Sequence, residues 1–253
     1  MAGIAAAYKG WIAKGKARLA MFIRALLWAP AMKHPILAAA LLAACPTPVL
    51  AQATMPPAAT VPAEELVPVT IETSLGKIVV ALDPVHAPVT TANFLHYVDT
   101  HRFDGEIFYR SLHQDEDGGL IQGGVMTDAR KLFKPIAHEP TSQTGLKHVA
   151  GAISMANNGP GTATGSFFIL VSDIPGLDAN GPGGDANGFA VFGHVVEGMD
   201  VVKKIHDAPL SATKGEGAMK GEMLDPPVKI LKVARVNPLP APKPAAKPVR
   251  KKR

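Results

Sequence analysis

Short segments of alternating apolar and polar residues dominate the middle of the chain. Val69 and Ile71 alternate with their neighbours, Leu75-Gly76 supplies a turn, and the alternation resumes at Ile78. A period of two bounded by turn residues is typical of strands, so this stretch predicts a β-hairpin. Further short apolar segments predict strands over residues 107–112, 119–123, 150–155, 167–171, 189–195 and 228–236.

Two segments have the spacing of helices instead. Pro88 stands where a first helical turn tolerates proline, and the apolar positions after it predict a helix that ends near Thr100. Residues 198–206 predict a second helix. Many short strands with two isolated helices favour a mainly β domain over residues 67–236, a closed antiparallel barrel capped by helices. The pattern alone leaves a β-sandwich open.

Charge is concentrated at the two ends of the chain. Six Lys or Arg residues and no acid precede Glu64, and six more follow Val236 without an acid. Because the formal net charge is only +5, the middle of the chain is acidic. We therefore expect no nucleic-acid partner for the central domain. Cys45 is the only cysteine, which excludes an intramolecular disulfide and a cysteine-based zinc site.

Residues 32–53 have the pattern of a secretory signal peptide. A short basic start is followed by an apolar run over residues 36–44, and small residues offer cleavage near Ala51 or Ala53. The apolar run is too short to span a bilayer. This predicts a periplasmic protein. An alternative is that Leu42-Ala43-Ala44-Cys45 is a lipobox, in which case a lipidated Cys45 would anchor the protein in the cell envelope.

The remaining terminal segments are unlike a folded core. Residues 1–31 form a basic amphipathic pattern that would suit a membrane surface, or they are a gene-model extension ahead of a start at Met32. Residues 54–66 are rich in Pro and Ala and predict a linker. Residues 237–253 predict a basic, Pro-rich, disordered tail. The basic ends offer a second route to membrane association.

Three motifs in the central domain carry a resemblance to a known family. They are Phe108-Tyr109-Arg110, Leu120-Ile121-Gln122-Gly123-Gly124, and the long stretch from Gly151 to Ile169. In this order they resemble the cyclophilin peptidyl-prolyl isomerases, and the resemblance covers nearly all of residues 67–236. It implies an eight-stranded β-barrel capped by two helices. It also implies an isomerase, which we expect to act as a monomer on proline-containing polypeptides without a metal or cofactor.

The chemistry of such an enzyme requires no bond to be broken. Rotation about an Xaa-Pro bond meets a barrier of about 18–20 kcal/mol, and the enzyme must bind the twisted amide better than the planar one. A fixed cation with N–H donors beside the prolyl nitrogen does this, and arginine has a rigid, always protonated fork. The resemblance implies that Arg110 is catalytic and that Gln122 orients it. The residues alone also allow an Arg110 paired with Asp115 or Glu116, and a Gln122 satisfied by backbone groups.

The resemblance further implies a set of substrate-binding residues. Ala156 and Asn157 match an edge that binds the peptide backbone, while Leu120, Phe168 and Leu177 match walls of the apolar pocket for the proline ring. The full predicted set is Phe108, Leu120, Ala156, Asn157, Ser166, Phe168, Leu177 and Phe189.

The chain also departs from the family pattern. Gly119 stands where a phenylalanine is usual, Ser166 replaces a glutamine, and Phe189 replaces a histidine. An acidic insertion over residues 113–117 lengthens the interval between Arg110 and Gln122. We expect a remodelled but still apolar pocket. The second functional hypothesis is therefore a peptide-binding module of the same fold with little turnover.

A calcium loop starting at Asp178 is a weaker hypothesis. The twelfth position counted from Asp178 is Phe189, whereas the loop chemistry requires a bidentate Glu. The nine histidines are scattered along the chain. We expect no metal site.

Overall fold

A computed structural model of the protein describes residues 66–114 and 118–236. Its first half contains β1 (Val67–Thr73), β2 (Gly76–Leu82), α1 (Pro88–Asp99), β3 (Ile107–His113), β4 (Gly119–Gly124) and the one-turn helix α2 (Thr141–Thr144). Its second half contains β5 (Ala152–Met155), β6 (Ser166–Leu170), β7 (Ala190–Glu197), α3 (Met199–His206), β8 (Leu210–Ser211) and β9 (Met223–Arg235). The predicted signal peptide with Cys45, nearly all of the linker, the basic tail, Asp115 and Glu116 lie outside the described residues.

Eight of the strands close into an antiparallel barrel. The hydrogen-bonded order is β1-β2-β7-β5-β6-β4-β3-β9, and β9 pairs back with β1. Every named pair is antiparallel, and β8 adds a short ninth strand on β9. Closure leaves no long unpaired edge in the sheet. The predicted closed barrel with helical caps is confirmed.

Aromatic side chains fill the barrel interior. Phe94 of α1 lies with its ring centroid 4.9 Å from that of Phe103, 5.3 Å from Phe167 and 5.2 Å from Phe192. All four are at most 1% exposed. Helix α3 adds Val202 and other apolar residues to the same cluster. Both helices therefore bury their apolar faces against the barrel interior, where each aromatic side chain removes a large apolar area from water.

Two differences from the predicted strands have physical causes. Strand β9 begins at Met223, five residues before the predicted start. Its pairing with β3 is irregular between Met223 and Val228, and the intervening stretch contains Pro226 and Pro227, which cannot donate to a ladder. Proline is rare inside strands, and the sequence pattern starts the strand only after these prolines, at Val228. Strand β8 is only two residues long, too short to give a periodic signal.

Among the described residues, no helix is both long enough and apolar enough to cross a membrane.

Candidate active site

A row of outward-facing residues crosses five neighbouring strands of the barrel. Arg110 of β3 pairs with Gln122 of β4, and Gln122 pairs with Phe168 of β6. Phe168 pairs with Ser154 of β5, which in turn pairs with Val191 of β7. Side chains on paired positions lie on the same face of a sheet, about 5 Å apart at Cβ. The fold thus places the predicted catalytic arginine, its glutamine and the predicted pocket phenylalanine side by side.

Two acceptors fix the Arg110 guanidinium. Arg110 Nη1 donates to Gln122 Oε1 at 2.9 Å, and Nε donates to Glu222 Oε2 at 2.7 Å. Arg110 Nη2 lies 2.6 Å from the same Glu222 oxygen. The Arg110 side chain is 9% exposed and the Glu222 side chain 20% exposed. The cation is thus largely removed from water. In this less polar environment, its electrostatic interaction with a neighbouring dipole is stronger than in bulk solvent.

An apolar cluster extends from this row. Its buried members are Leu120, Ala152, Phe168, Leu170, Ile174 and Val191, and the partly buried Leu112, Leu146, Ala156, Leu177 and Phe189 pack against them. It is separate from the interior core, because alternate residues of a strand point to opposite faces of the barrel. The fold thus brings together the predicted wall residues Leu120, Phe168 and Leu177, and the predicted substrate-binding residue Phe189 packs against them.

Phe168 is held between two further rings. Phe189 meets it edge to face, with centroids 5.4 Å apart and planes at 87°. His148 is stacked at 6.0 Å and 14°. Edge-to-face and offset-stacked pairs each add stabilisation beyond the area they bury. The orientation of the Phe168 ring is therefore fixed from two sides.

His148 belongs to a buried hydrogen-bonded chain beneath the apolar cluster. Its Nδ1 donates to Asp178 Oδ1 at 2.7 Å, and its Nε2 accepts from the Ser154 hydroxyl at 3.0 Å. Burial lowers the pKa of His148, against the opposing effect of Asp178. Ser154 is 0% exposed, so its hydroxyl is inaccessible as a nucleophile. The chain of three residues supports the wall around Phe168.

The predicted peptide-binding edge lies after β5. The Ala156 N–H donates to the Ser166 carbonyl at 3.0 Å, which joins this edge to β6. Asn157 Oδ1 accepts from the Gly159 N–H at 2.9 Å, while its buried Nδ2 has no partner in the described structure. Ser166 hydrogen bonds with Tyr109, whose pKa is raised by burial. Ser166 thus links the predicted peptide-binding edge after β5 to Tyr109 near the start of β3.

The structure describes no cluster of three or more His, Cys, Asp or Glu residues arranged to bind a metal ion. A second concave surface, with a cavity volume of about 870 Å³, lies between α1 and residues 133–136. Its lining is apolar except for groups such as Lys134 and His96, and it contains no arginine. The face around Arg110 therefore remains the candidate site.

Comparison with known proteins shows the family of the chain. The family model described as cyclophilin-type peptidyl-prolyl cis-trans isomerase/CLD matches residues 68–235. The chain belongs to the cyclophilin family. Among its relatives is the peptidyl-prolyl cis-trans isomerase cyp18 of Streptomyces antibioticus, 36% identical over 58% of this chain and 87% of the relative. The peptidyl-prolyl cis-trans isomerase of Acinetobacter baylyi is 38% identical over 65% of this chain and 83% of the relative.

A solved structure supports the fold. The cyclophilin-type isomerase cgd2_1660 of Cryptosporidium parvum superposes with a TM-score of 0.53 at 21% identity, over 68% of this chain and 98% of that protein. The prediction that this cyclophilin is a peptidyl-prolyl isomerase is confirmed at the level of the family.

One predicted contact is placed elsewhere by the structure. Phe108 is 0% exposed and lies in the interior core, with its ring centroid 5.7 Å from that of Phe167. A bulge between Phe108 and Arg110 separates their directions, so Phe108 points inward while Arg110 joins the outer row. Phe108 therefore cannot line the outer face, and its assignment as a substrate-binding residue is corrected.

The glycine at position 119, where the family usually has phenylalanine, is explained by the backbone. Its φ of +145° is a backbone conformation that L side chains rarely adopt, and an added Cβ would lie 1.8 Å from the Leu112 carbonyl oxygen. A phenylalanine could not occupy this position without moving the backbone. The side chains of Leu112 and Leu120 form the neighbouring wall instead.

Sequence reasoning missed Glu222, His148 and Ser154. Glu222 is 112 positions from its partner Arg110, and it lies in a Gly- and Lys-rich segment without a periodic pattern. His148 was one of nine scattered histidines. Only Ser154 carried a signal, because alternation along β5 places it on the face opposite Ile153, which lies in the core.

Proposed function

We propose that this cyclophilin accelerates Xaa-Pro rotation during the folding of exported polypeptides, with Arg110 stabilising the twisted amide. The observation that supports this most is the position of the guanidinium, which is held by Gln122 in a row with Phe168. A proline ring seated on the apolar cluster would place its nitrogen toward this row. Uncatalysed cis/trans exchange is slow enough to limit folding, so an isomerase would speed the folding of proline-containing polypeptides.

The chemistry follows from what changes when the amide twists. The prolyl nitrogen loses resonance and its lone pair becomes a hydrogen-bond acceptor, so a fixed N–H donor stabilises the transition state more than the planar ground state. A preorganised donor needs little reorganisation at the moment of rotation. A 10⁵-fold acceleration requires about 7 kcal/mol. The apolar wall contributes by excluding water and positioning the ring.

A protease-coupled assay on Xaa-Pro peptides tests the proposal. We expect Arg110→Ala to lower kcat/KM by at least a hundredfold. The matched control is Arg130→Ala, because the Arg130 side chain is 91% exposed and pairs with Asp128 at the surface. This control should retain wild-type activity. Equal rates for wild type and Arg110→Ala would refute the proposal.

A second candidate is a peptide-binding module with little turnover. The contact that favours it is the Arg110–Glu222 pair, because a carboxylate partly neutralises the cation that the mechanism uses. Wild-type turnover no faster than the uncatalysed exchange, together with measurable peptide binding, would select this candidate.

We propose further that the domain is exported and acts in the periplasm, with the lipid-anchored form as the alternative. The signal-like pattern over residues 32–53 supports this. N-terminal sequencing of the protein from cell fractions tests it, and a mature form starting near Gln52 would contain neither Trp11 nor Trp28. Absence of tryptophan fluorescence from the periplasmic protein is the expected result. A cytoplasmic protein that keeps both tryptophans would contradict export.

A further inference from the structure

Glu222 is fixed opposite Arg110 by its main chain. The Glu222 carbonyl accepts from the Ser111 N–H at 2.9 Å, and the Glu222 N–H donates to the Met219 carbonyl at 3.1 Å. The next residue, Met223, pairs with Arg110 in the β3–β9 ladder. These anchors involve backbone atoms only, so a change of the Glu222 side chain leaves them in place.

The side chains of Glu222, just before β9, and Gln122, in β4, hold the guanidinium from two separate segments of the chain. One carboxylate oxygen of Glu222 is 2.7 Å from Nε and 2.6 Å from Nη2 of Arg110. Gln122 accepts from Nη1 at 2.9 Å. Contacts to Nε, Nη1 and Nη2 together fix both the plane of the group and its rotation within that plane. Removal of the Glu222 side chain would remove two of these three contacts.

Glu222 has two opposing effects on a reaction at Arg110. Its charge weakens the field of the guanidinium at a prolyl nitrogen, which would slow rotation of the bond. Its hydrogen bonds keep a long, flexible side chain in one geometry, which would speed that rotation. The effect of geometry is the larger one here, because a donor displaced by about 1 Å loses on the order of a hundredfold in rate. The charge effect is reduced by the partial exposure of Glu222 to solvent.

We infer that Glu222 is a positioning residue for Arg110, acting through the acceptor oxygen of its side chain and not through its charge. The inference rests on the proposed function, because it assumes that Arg110 acts on the substrate. It adds a residue from a segment of the chain that the sequence motifs do not include.

Two variants of similar size separate the acceptor from the charge. Glu222→Gln keeps an acceptor oxygen and removes the charge, whereas Glu222→Met removes both and fills a similar volume. NMR exchange spectroscopy on an Xaa-Pro peptide gives kcat and KM for each. We expect kcat of Glu222→Met to fall at least tenfold, or about 1.4 kcal/mol in the barrier, with KM within threefold of wild type. Glu222→Gln should retain at least a third of the wild-type kcat.

The controls distinguish this inference from a general loss of structure. Glu216 lies in the same segment and is exposed, so Glu216→Met should leave kcat unchanged. All variants are measured below the onset of unfolding, as followed by circular dichroism. Equal kcat values for Glu222→Gln and Glu222→Met, whether high or low, would overturn the inference. An inactive wild type, or an Arg110→Ala variant as fast as wild type, would overturn the proposed function instead.

Discussion

Replacement of Glu139 by alanine tests how α1 is held on the barrel. The helix has Ala87 at its N-cap, which offers no side-chain acceptor, and no acidic residue in its first turn. Glu139, 49 positions after Thr90, supplies the missing acceptor. Its Oε1 accepts from the Val89 N–H at 3.0 Å, and its Oε2 accepts from the Thr90 N–H at 2.7 Å and the Thr90 hydroxyl at 2.6 Å.

The magnitude follows from these contacts. Hydrogen bonds to a charged group contribute about 1.5–3 kcal/mol each, and the carboxylate also interacts favourably with the helix N-terminus. Three such bonds are lost in Glu139→Ala, but water entering the vacated space would satisfy part of the donors. We therefore expect a loss of about 3 kcal/mol in the free energy of unfolding. For a domain of this size that corresponds to a fall of about 6–12 °C in Tm.

Urea unfolding followed by circular dichroism measures the loss. The matched control is Glu216→Ala, since Glu216 is exposed. It should change the free energy of unfolding by less than about 0.5 kcal/mol. A loss below about 1 kcal/mol in Glu139→Ala would refute the reasoning, because it would mean that the helix start does not depend on this distant carboxylate.

Two further predictions concern the core and the pH dependence. An added Cβ at Gly123 would lie 2.7 Å from Phe108 Cδ1, so Gly123→Ala should lower the free energy of unfolding in urea by about 1–3 kcal/mol. Phe108→Leu in the same chain should recover part of this loss. A double variant whose loss equals the sum of the two single losses would contradict this. Burial lowers the pKa of His148, so on acidification the unfolded state takes up its proton first, and the free energy of unfolding should fall as the pH drops below about 6.5. Between pH 7.5 and 5.5, the free energy of unfolding of His148→Gln should fall less than that of wild type. Part of the fall that remains in the variant comes from His194, whose pKa is also lowered by burial. Identical pH profiles of stability for wild type and His148→Gln would exclude His148 as a cause.

The barrel could be predicted because its determinants are local. Alternation along β1 and β2 and the helical spacing after Pro88 are readable in a few residues each, and α1 ends at Asp99, one residue from the predicted end. The outward row was predictable in part. Residues Arg110 and Gln122 were found from motifs, and their pairing across β3 and β4 follows from strand adjacency.

What could not be predicted depends on contacts between distant parts of the chain. Phe108 was assigned to the binding face from the resemblance, whereas the bulge that turns its side chain inward depends on the pairing of β3 with β4. Glu222 reaches Arg110 only through the irregular start of β9, where two prolines obscured the strand. Among the described residues, the acidic partner of the arginine is Glu222, 112 positions away, while Asp115 and Glu116 lie outside those residues.

The central claim is that Arg110 stabilises the twisted amide more than it binds the planar peptide. The most direct test measures peptide Kd and kcat separately in Arg110→Ala and Arg110→Lys, by NMR titration and exchange spectroscopy on the same Xaa-Pro peptide. The account predicts that Kd stays within about fivefold of wild type in both variants while kcat falls at least a hundredfold, because lysine keeps the charge but lacks the rigid fork. Variants that keep the wild-type kcat and lose only peptide affinity would contradict it.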